Sequence, residues 1–193
     1  MDQALASLDQ QHDLGAHSSD TLGMVAALQA KAAVYTEMGK PAQAQAMYDQ
    51  AVKLADGSAL PDPIKANIHL FQHNNLARVA LARKDVATAK QEADAFAKVA
   101  LASGAPGQVR QAHELAGMIA LQEKNWDAAI SELQQASLQN AYNLYRLCQA
   151  YQGKGDTAKA TEQCTAAAHF NPLPELNFSF IHAKAAKMAG AKS

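Results

Sequence analysis

Strand-forming residues are scarce in this 193-residue chain, aromatics amount to 6%, and apolar and polar positions never alternate over a useful length. That excludes a fold built on β-sheet. No stretch approaches the roughly 18 to 20 apolar residues that a bilayer span requires, so no membrane span is expected. Basic surplus is missing as well: 17 Lys and Arg stand against 18 Asp and Glu, a formal net charge of -1. Nucleic acid is therefore not an expected partner. Catalytic signatures are lacking too, with no Gly-x-Ser-x-Gly, no phosphate-cradling glycine loop and no His-Glu-x-x-His. Gly104-Ala105-Pro106-Gly107 reads as a turn, and Asp49, Glu92, Asp94, Glu132 and Glu162 read as solvated faces. The expectation is a non-enzyme without a cofactor. Met1-Asp2-Gln3-Ala4-Leu5 has neither the basic patch nor the apolar run of a secretory signal. A soluble chain is expected, cytoplasmic as it stands, periplasmic or secreted if a signal has been removed.

What the sequence has in abundance is alanine, roughly a quarter of the chain and far above ordinary usage. With Leu, Lys, Glu, Gln, Arg and Met it supplies the residues that lose least on entering a helix. A phrase returns four times: an apolar helix, a turn with Gly or Lys, usually beside Asp or Asn, then small residues five and twelve positions on. It is centred on Gly39 (Ala44, Tyr48, Ala51), Lys84 (Ala89, Phe96), Lys124 (Ala129, Leu133, Ala136) and Gly155 (Ala160, Cys164, Ala167). A helix pair of this kind cannot bury its apolar face alone, so neighbours must stack and share one long core.

These signals predict one repeat domain over residues 1–193. It opens with a half-repeat helix in 1–18, read as Asp2 to Leu14 followed by a polar break from Gly15 to Asp20. Helix hairpins follow at 19–56, 63–103, 107–139 and 141–171, and a capping helix at 175–188 carries Leu176, Phe178, Ile181 and Ala185 as its apolar stripe. Gly39 suits a left-handed helix end, Pro41 the first turn of the next helix, and Asn125 an N-cap.

The fourth hairpin, Leu144-x2-Leu147-Cys148-x2-Tyr151 with Gly155, Ala160, Ala167 and Pro172, resembles a tetratricopeptide repeat. In the third, Gly117 and Trp126-Asp127-Ala128-Ala129 are similar to the small residue and the second-helix start of that family. The first two depart further, with Lys31 where a large apolar residue is expected and Ala80 in place of an aromatic. Steps between turns shorten from 45 to 40 to 31 residues along Gly39, Lys84, Lys124 and Gly155, against roughly 34 in the consensus. The resemblance implies an all-α, right-handed α-solenoid of about four irregular hairpins plus a C-terminal cap.

It also implies a non-catalytic interaction scaffold that holds a peptide or a partner's helix in a concave groove lined by first helices. Groove positions carried over hairpin by hairpin are Gln29 and Ala33, Asn74 and Arg78, Gln111, Glu114 and Met118, then Tyr142, Tyr145 and Gln149. The Lys and Asn set with which some relatives hold a C-terminal carboxylate is absent, for Gln29, Ala33, Asn75, Gln111 and Leu115 occupy the matching places. Two alternatives stand beside this reading. One is self-association through the N-terminal helix, as a structural module or a fragment of a larger repeat protein. The other is transition-metal binding by His69 and His73, four apart on one helix face, with His113 at the repeat position of His73. Against metal, no acidic or Cys partner sits at metal spacing beside them, and ordinary half-buried, hydrogen-bonded histidines are the expected reading.

Cys148 and Cys164 occupy facing positions of one hairpin. They either close a disulfide, which points to an oxidising compartment, or stand as two small buried thiols in place of Gly and Ala. The thiols are the expected reading.

Overall fold

The computed structural model describes residues 1–170 and 176–190, with side chains for 1–170 and 180–190. The described residues form ten α-helices and no strand: α1 (Asp2–Ser18), α2 (Thr21–Glu37), α3 (Pro41–Asp56), α4 (Asp62–Ala82), α5 (Val86–Ser103), α6 (Pro106–Gln122), α7 (Trp126–Gln135), α8 (Ala141–Lys154), α9 (Thr157–Ala168) and α10 (Leu176–Met188). The predicted Asn171-Pro172-Leu173-Pro174 connection, with the Pro172 of the repeat pattern and the capping-helix start at Glu175, lies outside the described residues. So do the side chains of Leu176 and Phe178.

The recurring phrase is explained by one turn geometry. Gly39, Lys84, Lys124 and Gly155 all take left-handed backbone, at φ 68°, 62°, 59° and 87°. The next residue's N–H then reaches the carbonyl five positions back: Lys40 to Tyr35, Asp85 to Ala80, Asn125 to Ala120 and Asp156 to Tyr151, at 2.8–2.9 Å. Each bond closes a carbonyl that the ending helix leaves open. The neighbouring Asp or Asn starts the following helix. Asp85 accepts from the Thr88 N–H, Asn125 from Ala128 and Asp156 from Lys159. Lys40 has no side-chain cap, and Pro41 follows it instead.

A fifth copy of this turn joins α1 to α2, where the polar break was expected. Ser19 sits at φ 58°, the Asp20 N–H reaches the Gly15 carbonyl at 2.8 Å, and Asp20 accepts from the Gly23 N–H. The helix does not stop at Leu14 but runs to Ser18. Gly15 is buried within it because α2 passes close by: a Cβ there would lie 2.8 Å from Met24 Cγ. In the third hairpin the second helix ends at Gln135, short of the expected limit, since Ala136 turns to extended backbone.

The chain folds as two compact units, 1–96 and 97–193, with the boundary inside α5. In the first, α1 packs on α2, α2 on α3 and α3 on α4. Its core joins Val25 and Leu28 to Ala51, Ala55 and Ile68, and Ala32 to Ala44, Tyr48 and Val79. Phe71 of α4 meets Phe96 of α5 edge to face at 5.8 Å. Lys31 finds a use here, for its ammonium pairs with Asp9 of α1 while its stem is largely buried, the side chain being 16% exposed.

In the second unit α6 packs on α7, α7 on α8 and α8 on α9, and α10 lies on both α8 and α9. The two first helices, α6 and α8, also touch each other. Leu133, Leu147, Cys148, Tyr151, Ala160 and Cys164 form one cluster, and Ala141, Leu144, Ala167, Ala168, Ile181 and Ala185 another. Ile181 and Ala185 of α10 are thus buried against residues of α8 and α9. Every small or apolar position of the phrase, from Ala44 through Ala167, is at most 7% exposed. Alanine at these places permits close approach of the helices: at Gly117 even one methyl would meet Leu133 Cγ at 2.6 Å.

Candidate functional site

The predicted groove residues of the second unit lie on two neighbouring helices. Gln111, Glu114 and Met118 follow one another at helical spacing on α6, and Tyr142, Tyr145 and Gln149 do so on α8. A polar bridge ties the helices together. Arg146 Nη1 donates to Glu114 Oε1 at 2.7 Å and to Asn143 Oδ1 at 2.9 Å, and its guanidinium stands 5.0 Å from the centre of the Tyr142 ring. The pair is buried, with Arg146 11% and Glu114 6% exposed. Glu114 is therefore spent on a structural ion pair rather than offered to a ligand, and its charge is cancelled where it stands.

The other predicted groove residues here are neutral: Gln149 is exposed, and Gln111, Met118, Tyr142 and Tyr145 are half-buried. Burial pushes the Tyr145 phenol above its ordinary range, with Lys184 of α10 opposing the shift. Such a set can stack on apolar side chains and hydrogen-bond a backbone. It contains no nucleophile beside a base.

In the first unit Gln29, Ala33 and Arg78 are half-buried, and Asn74 is 5% exposed. Arg78 Nε donates to Asn74 Oδ1 at 2.8 Å. Asn74 is thus a buried brace for Arg78, not an accessible ligand-binding amide. Among the described residues, Asn74 Nδ2 and Gln111 Oε1 are buried without a hydrogen-bond partner.

The three histidines each face a carboxylate. His69 Nε2 lies 2.8 Å from Asp56, His73 Nδ1 2.7 Å from Glu92 and His113 Nδ1 2.8 Å from Glu132. Acidic partners therefore exist where sequence spacing offered none: α3 brings Asp56 to His69 of the following helix, and in the two middle hairpins the second helix folds back onto the first. Both middle hairpins repeat one clasp, His on the first helix and Glu nineteen residues later on the second. Among the described residues no group of three or more His, Cys, Asp or Glu side chains comes together to hold a metal ion.

The cysteines correct the expectation of free thiols. Cys148 and Cys164 are joined in a disulfide with Cα atoms 5.2 Å apart. An α8–α9 approach close enough to replace Gly and Ala is also close enough to bond the two sulfurs.

Sequence reasoning missed Arg146 and Asn143, the residues that organise this face. One signal was available, a lone Arg inside the otherwise apolar run Leu144-Tyr145-Arg146-Leu147-Cys148. No helix among the described residues is long and apolar enough to cross a membrane. No protein-family model matches the chain, and no curated protein sequence does. Among solved structures, BtubC (BKLC) from P. vanneervenii is similar over 98% of this chain and 84% of its own, with a TM-score of 0.57 and 17% sequence identity. At that identity the likeness is one of all-helical fold.

Proposed function

We propose that this chain is a non-catalytic protein-interaction scaffold: tetratricopeptide-like hairpins stacked as a right-handed α-solenoid, capped by α10, with the first helices presenting an extended peptide or a partner's helix with its binding surface. The observation that carries this reading is the contact of α6 with α8 in the second unit, bridged by Glu114 and Arg146. Alternate helices touch when hairpins pile in register, and such stacking would line up Gln111, Met118, Tyr142, Tyr145 and Gln149. Five turns of one geometry support the same repeat logic. The internal pairing of Arg146 with Glu114 favours a neutral, amide- and apolar-rich peptide over an acidic tail.

The test is affinity capture followed by cross-linking mass spectrometry, with Tyr142→Ala plus Gln149→Ala as the comparison. Wild-type cross-links should fall on α6 and α8, and the double variant should lose them while keeping its helical circular dichroism. Cross-links confined to α7 and α9, undisturbed by the variant, would refute the assignment. A second reading, self-association at the N-terminal helix, is favoured by Leu14 at 70% and Leu22 at 45% exposure. Light scattering over a concentration series decides it, since constant monomer mass counts against association.

A further inference from the structure

The disulfide sits where nothing in the scaffold reading requires it. It joins two helices already held by a tight turn, and the exposed fractions of Cys148 and Cys164 are 2% and 0%. The sulfurs belong to the cluster of Leu133, Leu147, Tyr151 and Ala160; Leu121, Ile130 and Tyr145 pack against it from α6, α7 and α8, and Met188 of α10 with Ala189 just after it closes the remaining side. A thiolate must reach a disulfide sulfur in line to exchange with it, so a bond buried this way is attacked only after the site opens. The two cysteines are 16 residues apart and the chain has no third. No other pairing within one chain competes.

We propose that Cys148–Cys164 is a covalent maturation site, formed by thiol–disulfide exchange in an oxidising compartment and sealed afterwards by α10. The co-reactant is a disulfide-bearing exchanger, R–S–S–R. One cysteine thiolate attacks it, forming a mixed disulfide and releasing R–S⁻; the second thiolate attacks the mixed disulfide at the protein sulfur and releases the other R–S⁻. One protein S–S bond replaces one exchanger S–S bond. Two electrons pass to the exchanger, and the two protons lost by the cysteines end on its thiols. Once Ile181 and Ala185 dock α10 over α8 and α9, reductant no longer meets the bond. This inference stands on the cysteines and α10 alone and does not depend on the scaffold reading.

The full chain, exported to a bacterial periplasm and purified without reductant, is denatured and treated with N-ethylmaleimide. No addition is expected, and two additions after dithiothreitol; two additions without reductant overturn the proposal. On the native chain, dithiothreitol should release thiols on the order of 100-fold more slowly than in denaturant. Met188→Asp should recover at least tenfold of that difference, and Lys187→Asp, exposed on the same helix, should leave it unchanged. Equal rates in native and denatured chain, or an unchanged rate in Met188→Asp, overturn the seal.

Discussion

Replacing Gly117 by Ala tests the closeness of the hairpin helices more sharply than any deletion. Within α6 the change should help, since Ala gains about 0.5–1 kcal/mol over Gly in a helix interior. Against that, the new methyl would meet Leu133 Cγ at 2.6 Å, Cδ2 at 2.9 Å and the Leu133 backbone N at 3.3 Å. Leu133 is fully buried, so moving it disturbs the cluster it packs in. Overpacking of this kind costs about 1–3 kcal/mol. Repulsion should win, leaving a net loss of about 0.5–2 kcal/mol, or about 1–8 °C in Tm for a chain of this size. The matched control is Gly107→Ala, at the start of the same helix, where a Cβ would meet nothing within 4 Å; it should be neutral or stabilising. Leu133→Ala removes Cγ and Cδ2, so Gly117→Ala should cost less in the Leu133→Ala background than alone, a favourable coupling in a double-mutant cycle read by thermal melts. Equal stability of Gly117→Ala and Gly107→Ala would refute the packing argument.

Three further outcomes follow from the same geometry. Arg146→Met alone leaves Glu114 buried without its cation and should cost about 3–5 kcal/mol, whereas adding Glu114→Leu should restore most of it; a urea melt of all three variants measures the coupling. Lys84→Gly and Lys124→Gly relieve left-handed backbone and should each stabilise by about 1 kcal/mol, while Gly155→Ala should lose a similar amount, all visible in Tm. Burial pushes the Tyr48 phenol above its ordinary range, with Arg78 partly opposing. The folded state therefore holds that proton more tightly. Its contribution is complete below about pH 10 and is lost as pH rises through the elevated value, so Tyr48→Phe should flatten the alkaline limb of a stability–pH profile.

Helix order is readable in the sequence because each turn leaves a local trace. Lys84, Lys124 and Gly155 are followed by a capping Asp or Asn, Gly39 by Lys40-Pro41, and all four by small or apolar residues at fixed offsets, and those offsets follow from helical period. The α1–α2 turn leaves a fainter one, because Ser19 replaces Gly or Lys, and Met24 and Lys31 stand where small residues are expected. Side-chain partners are far less legible. His73 and Glu92, or Glu114 and Arg146, lie 19 and 32 positions apart, and only folding makes them neighbours. Composition cannot distinguish two buried thiols from a disulfide; the fold brings the two Cα atoms to 5.2 Å, within reach of the bond that joins them.

Site-specific photo-cross-linking in cells of the source organism reads out whether α8 carries the binding surface. A benzophenone side chain is placed at Tyr142 and Gln149 on α8, and at Ser131 and Glu162 on α7 and α9 as exposed controls. A discrete protein adduct is expected from the α8 positions and none from the controls. Adducts from Ser131 and Glu162 alone would contradict it.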